Sequence, residues 1–139
     1  MKISTLVDTN ILVDLLGPAT RHREWSVKAL GSCRHEGDLI LSPIVWSEIA
    51  TSPIREDELI VALSWLDMAR ESIPFEAAFR AGKAHRAYRL AGGQRERTLP
   101  DFLVGAHAEW RHHRLLTRDA PRYRPYFPTL DIVSPETHP

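Results

Sequence analysis

Residues 3–16 read ISTLVDTNILVDLL. Ile3–Val7 is short, apolar and rich in β-branched residues, the composition of a strand buried on both faces. Thr9 to Leu16 then starts a helix, broken at Gly17-Pro18. Asp8 lies at the seam. A carboxylate between two buried-looking segments needs something to balance its charge.

The same alternation continues along the chain. Glu24–Arg34 has helical spacing through Trp25, Ala29 and Leu30, and Asp38–Ser42 reads as a second strand. Pro43 suits the first position of a helix capped by Ser42. That helix carries Val45, Trp46, Glu48 and Ile49 and stops near Ser52-Pro53. Arg55–Ala69 is helical through Leu59, Leu63 and Leu66, and Ser72-Ile73-Pro74 is a brief strand. Glu76–Ala91 is a helix ended by Gly92-Gly93. A polar loop, 94–98, precedes a helix from Asp101 to Arg111; Leu115–Thr117 and Leu130–Val133 are the last strands. Short apolar strands alternating with helices predict an α/β protein, a mostly parallel sheet covered on both faces. One domain over residues 1–134 is expected, with 135–139 as a frayed tail.

Composition narrows the class. With 139 residues, 43% of them hydrophobic and 26% charged, the chain is globular rather than disordered. No apolar stretch approaches the roughly 20 residues that span a bilayer. The N-terminus turns acidic too early for a signal peptide. Cys33 stands alone, so no internal disulfide forms, which fits a reducing cytoplasm. Net charge is zero, but its distribution is uneven. Residues 80–124 hold 11 Lys+Arg and 4 Asp+Glu, whereas 1–79 hold 7 and 12. That asymmetry can place a basic face beside an acidic centre, although solvated helix faces would give the same counts.

Four acids stand out by position: Asp8 after the first strand, Glu48 in the helix after the second, Asp101 at the start of an apolar helix, and Asp119 after Leu115–Thr117. Open α/β sheets bind ligands at the carboxyl ends of their strands, where these acids would meet. Each also has a structural alternative. Asp8 or Asp119 could cap a helix or turn, Thr98 to Asp101 has capping-box spacing, and Glu48 could face solvent. Taken together, four acids on one edge point to a bound cation, because clustered carboxylates repel and resist desolvation. Oxygen donors suit Mg²⁺ or Mn²⁺. Zinc is disfavoured, since His107, His112 and His113 show no paired ligand spacing. No GxxxxGK[ST] phosphate loop and no GxSxG elbow occur.

The ordered segments LVDTNILVDLL, SPIVWSEIA, LPDFLVGAHA and LLTRDAPRYRPYFPTLDIVSP span essentially the whole chain. In this order they resemble the PIN-domain ribonucleases, most closely the VapC-type toxins of bacterial toxin–antitoxin pairs. The resemblance implies a three-layer α/β/α sandwich and Mg²⁺- or Mn²⁺-dependent cleavage of RNA. It assigns the catalytic acids to Asp8, Glu48, Asp101 and Asp119, with Asp8, Asp101 and Asp119 as metal ligands and Glu48 orienting water or a second cation. Thr117 is the hydroxyl beside the acids, and Asn10 holds the Asp8 loop. It also implies a cognate antitoxin, a homodimer and a cytoplasmic setting, with apolar contacts drawn from Trp46 and Trp65.

Arg86, Arg89, Arg95, Arg97, Arg118 and Arg122 are the candidate ligands for RNA phosphates. Asp14 is expected to face solvent or to pair with a basic residue. Two rival enzyme or phosphoacceptor readings fit less well. A doubly wound phosphatase would carry a DxD pair, but Asn10 stands at its second position. A receiver domain would need a late lysine, and the only lysines are Lys2, Lys28 and Lys83. A non-catalytic binding module that uses the acidic cluster is the third alternative.

Overall fold

The computed structural model describes residues 2–94 and 96–139, so Arg95 lies outside the described residues. Five short strands form one wholly parallel sheet: β1 (Thr5–Val7), β2 (Leu39–Leu41), β3 (Ala69–Arg70), β4 (Arg114–Leu116) and β5 (Ile132–Val133), in the order β3-β2-β1-β4-β5. The helices are α1 (Thr9–Leu16), α2 (Arg21–Glu36), α3 (Pro43–Ile49), α4 (Glu56–Leu63), α5 (Phe75–Leu90), α6 (Leu99–Trp110) and α7 (Ala120–Tyr123). They connect parallel strands and cover the sheet, as the alternating pattern predicts. Among the described residues, no helix is long and apolar enough to cross a membrane.

The order of the strands positions everything that follows. From β1 the chain steps outward through β2 to β3, then returns to place β4 on the other side of β1. Carboxyl ends of β1 and β4 therefore flank a topological switch point, where loops leave in opposite directions and open a crevice. Register pairs Val7 with Leu116, so Asp8 and Thr117 leave the sheet side by side.

Local chemistry fixes the helices that reach this crevice. Ser42 Oγ accepts from Ile44 N at 3.1 Å and Pro43 takes the first turn, which starts α3. Thr98 and Asp101 form a capping box at the start of α6. Gly105 lies where α6 meets Phe127, and a Cβ there would come within 2.5 Å of the Phe127 ring, so only glycine permits this approach. Gly92 ends the α5 segment in left-handed backbone, φ 83°.

Four elements differ from the pattern read in the sequence. The edge strand is Ala69–Arg70 rather than 72–74, and the segment 55–69 is cut short at Leu63, with a single 3₁₀ turn over Ser64–Leu66. Asp67 follows in left-handed backbone, φ 46°, which halts the helix and turns the chain into the sheet. The helix α7 had no periodic signature in four residues. Residues expected to fray also make contacts: Trp25 Nε1 donates to the His138 carbonyl at 2.8 Å, and Arg124 pairs with Glu136 at 2.9 Å.

Candidate active site

Asp8 is the N-cap of α1 and its side chain is 6% exposed. Oδ1 accepts from Thr9 N at 2.8 Å. Oδ2 accepts from the Thr117 hydroxyl at 2.8 Å, the Tyr123 hydroxyl at 2.8 Å and Asn10 Nδ2 at 3.4 Å. All these donors are neutral. Among the described residues, no Lys or Arg side chain contacts Asp8. Burial therefore dominates and pushes the carboxyl above its ordinary range, with Asp101 adding repulsion against the pull of the hydrogen bonds.

The other acids join through the same residues. Thr117 Oγ1 also accepts from Asp119 N at 3.0 Å and from Asn10 Nδ2 at 3.1 Å. Asn10 Oδ1 accepts from Arg118 N at 3.1 Å, so this one side chain clasps the loop after β4 against the loop after β1. Glu48 reaches the cluster from α3, where its Oε1 accepts from the Thr9 hydroxyl at 2.7 Å. Asp101 Oδ2 caps Thr98 N at 3.0 Å, and its Oδ1 accepts from Arg122 at 3.1 Å. Arg122 Nε meets Asp119 Oδ2 at 3.0 Å. Asp8, Glu48, Asp101, Asp119, Thr117 and Asn10 thus form one network. Burial lowers the basicity of Arg122, but Asp101 and Asp119 outweigh it and hold the guanidinium more firmly protonated than usual.

The chain matches the PIN domain family model over residues 5–126. It belongs to the PIN-domain family. Sequence comparison with curated proteins returns no match. Solved structures with the same fold include VapBC2 from Rickettsia felis bound to a promoter DNA fragment, at TM-score 0.72 and 18% identity over 95% of this chain and 98% of that one. FitAcB from Neisseria gonorrhoeae aligns at TM-score 0.67 and 19% identity over 95% and 98% of the two chains. A toxin–antitoxin complex from Klebsiella pneumoniae aligns at TM-score 0.67 and 25% identity over 94% and 97%.

Within this PIN domain the arginines divide. Arg86 and Arg89 are exposed on α5. Arg97 stacks over the rings of Tyr88 and Tyr126 and donates to the Pro121 carbonyl at 3.3 Å, tying the loop before α6 to α7. Arg118 carries no free guanidinium: Nε and an Nη donate to both oxygens of Asp14 at 2.5 and 3.0 Å. Asp14 also accepts from Ser26 at 2.7 Å, so it is a buried anchor of the Arg118 loop and not a solvated charge. Trp65 is 54% exposed, whereas Trp46 packs partly against the core.

Sequence reasoning gave Tyr123 no role, although it stands in the quoted segment. Its hydroxyl is buried against Asp8, and burial with that carboxylate raises its pKa well above the usual value. It therefore stays a donor. The signal available was its position six residues after Thr117 on an otherwise polar turn, too weak to read alone.

A second polar cluster also escaped the sequence. Glu71 Oε1 lies 2.8 Å from Nε2 of both His107 and His113. His112 adopts left-handed backbone, φ 58°, which turns the chain at the end of α6 and brings His113 inward. The donor atoms lie within 4.8 Å of one another, a grouping that could hold a metal ion. Its chemistry fits hydrogen bonding better. Burial works against ionised Glu71, but bonds from His113 and His107 bring its pKa below the ordinary value. An ionised carboxylate only accepts, so both Nε2 atoms donate. Arg111 Nε stands 3.9 Å from the same oxygen and supplies positive charge. His107 Nδ1 is buried without a partner, whereas a metal-bound imidazole requires an acceptor there. The cluster is a clamp joining the end of β3 to α6 and β4.

Proposed function

We propose that this chain is the toxin of a toxin–antitoxin pair, a divalent-metal-dependent endoribonuclease of the VapC type. The observation that carries the reading is the buried Asp8 carboxylate at the switch point, ringed by neutral donors and without a basic partner among the described residues, with the charge of Asp101 acting on it and Asp119 joined to it through Thr117. PIN domains are nucleases, and the neighbouring Klebsiella pneumoniae structure is a toxin–antitoxin complex.

Asp8, Asp101 and Asp119 would hold Mg²⁺ or Mn²⁺, because a hard, oxygen-only donor set with excess negative charge suits these ions. Such a cation supplies neutralisation of phosphate charge and acidification of water. The protein contributes the rest. Thr117, Tyr123 and Thr9 N fix both oxygens of Asp8, so the carboxylate does not reorient when substrate arrives. Thr9 holds one oxygen of Glu48, leaving the other to orient the attacking water and take its proton. Arg86, Arg89, Arg97 and Arg122 would serve as ligands for flanking phosphates, and Arg118 would act instead through Asp14 as a positioning residue. RNA, a cognate antitoxin and a second copy of the chain are the partners this reading requires, in the cytoplasm.

The test is cleavage of labelled RNA by purified protein. Activity should need Mg²⁺ or Mn²⁺, vanish with EDTA and vanish in Asp101→Asn. Cleavage that survives EDTA, or turnover of p-nitrophenyl phosphate in place of RNA, would sink it.

A further inference from the structure

We infer that Arg122 is a built-in occupant of the cation position, which must leave Asp101 and Asp119 before an ion can be held there, so that the guanidinium sets the metal affinity of the site. The inference rests on the metal-dependent reading above and concerns a group that reading uses only as a phosphate ligand.

The oxygens leave little choice. Asp101 spends Oδ2 on its capping box, accepting from Thr98 N at 3.0 Å and the Thr98 hydroxyl at 3.5 Å. Only Oδ1 faces the crevice, and Arg122 holds it at 3.1 Å. A different nitrogen, Nε, takes Asp119 Oδ2 at 3.0 Å. One guanidinium therefore bridges two of the three carboxylates proposed to share an ion. It does so at high local concentration, because Arg122 is three residues from Asp119 on α7 and has nowhere distant to go.

Charge decides the rest. Arg122 brings one positive charge to three carboxylates, and it does not touch Asp8. The site stays net negative, so a doubly charged ion gains more there than the guanidinium does. Arg122 is 37% exposed and can swing toward solvent without breaking the core. The bridge is partly screened at that exposure, so its strength is modest. Competition of this kind multiplies apparent affinity by the fraction of molecules with the bridge open, so a bridge closed in about nine molecules of ten weakens it about tenfold. When free, the same side chain remains tethered at the crevice, where an RNA phosphate offers it two new acceptor oxygens.

The experiment is isothermal titration of Mn²⁺ into the full chain and its variants at fixed ionic strength. Arg122→Gln should bind Mn²⁺ about tenfold more tightly than wild type, while Arg122→Lys stays near wild type and Asp101→Asn loses binding. Equal or weaker Mn²⁺ binding by Arg122→Gln, with Asp101→Asn still deficient, overturns the inference and leaves the metal reading intact. No Mn²⁺ bound by either wild type or Arg122→Gln overturns both. A second measurement needs no variant. In wild type, the Arg122 Nε–H proton should exchange slowly with water in metal-free solution and quickly once Mg²⁺ saturates the site. An Nε–H that stays protected while the Asp101 amide resonance shifts also overturns it.

Discussion

Two polar clusters among the described residues are built from similar residues and opposite in electrical logic. Glu71 sits between His107 and His113 with Arg111 nearby, one carboxylate matched by more than enough donors. Asp8, Asp101 and Asp119 are linked only through Thr117 and Arg122, and the one guanidinium among them reaches two of the three acids. A matched cluster ties elements together and asks for nothing further. An unmatched one holds its charge only because the surrounding fold fixes it, and that unmet demand marks a site of function.

The largest effect that separates them is on catalysis. Asp8→Asn should lower the rate of RNA cleavage about a thousandfold, the several kcal/mol that a bound ion supplies. His113→Gln should leave the rate within about threefold, since its cluster lies outside the network of acids. Initial rates at saturating Mn²⁺ check both; equal losses would erase the distinction between the clusters.

Stability should show the reverse. His107 is fully buried, and His107→Ala leaves a cavity and removes one of the two short hydrogen bonds to the Glu71 carboxylate, a cost of about 3 kcal/mol. Asp101→Asn should cost about 1 kcal/mol or less, because the pair it loses is partly screened. Urea denaturation measures the two, and a larger loss in Asp101→Asn would overturn the assignment of the clamp.

Tyr123→Phe sharpens the comparison inside the acidic site. It removes one donor from Asp8 without changing charge, so Mn²⁺ affinity should fall about tenfold, the scale seen for residues that orient a metal ligand. An unchanged affinity in calorimetry would show that Thr117 and Thr9 N suffice.

The smallest effect is the response to acid, and its sign differs between the clusters. Burial dominates at His107 and lowers its pKa from 6.5, so the unfolded chain takes up a proton first and this contribution to stability is lost as pH falls through that range. Glu71, lowered from 4.5, acts in the same sense at lower pH. Asp8 is raised from 3.8, so between that value and its folded pKa the native state binds the extra proton and gains stability as pH falls. In metal-free protein, His107→Gln should lose less stability than wild type as pH falls from about 7 to about 5, and Asp8→Asn should lose more as pH falls further toward about 4. Denaturant midpoints across that range settle the signs.

Much of this was written locally. Ile3–Val7 followed by Asp8 and Thr9 read as strand, cap and helix because each signal lies within a few residues. Ser42-Pro43 and Thr98 to Asp101 likewise mark where α3 and α6 begin. The edge strand Ala69–Arg70 was not legible, since two exposed residues carry no period and are strand only by pairing with Ile40 and Leu41. Nor was the clamp: His107 and His113, six residues apart on sequence, meet only because His112 turns the chain and Glu71 arrives from another element.

The sequence by itself determined the parallel α/β architecture and the set of acids, because buried strands, helix caps and ordered motifs are short-range facts. Tertiary structure alone decided how charge is shared among them. It gave Arg118 to Asp14, Tyr123 to Asp8, and Arg122 to Asp101 and Asp119, pairings that span between three and 115 residues. The long-range ones, Arg118 to Asp14 and Tyr123 to Asp8, depend on distances of a few ångströms between side chains from different elements, and those distances exist only once the sheet order has brought β4 beside β1.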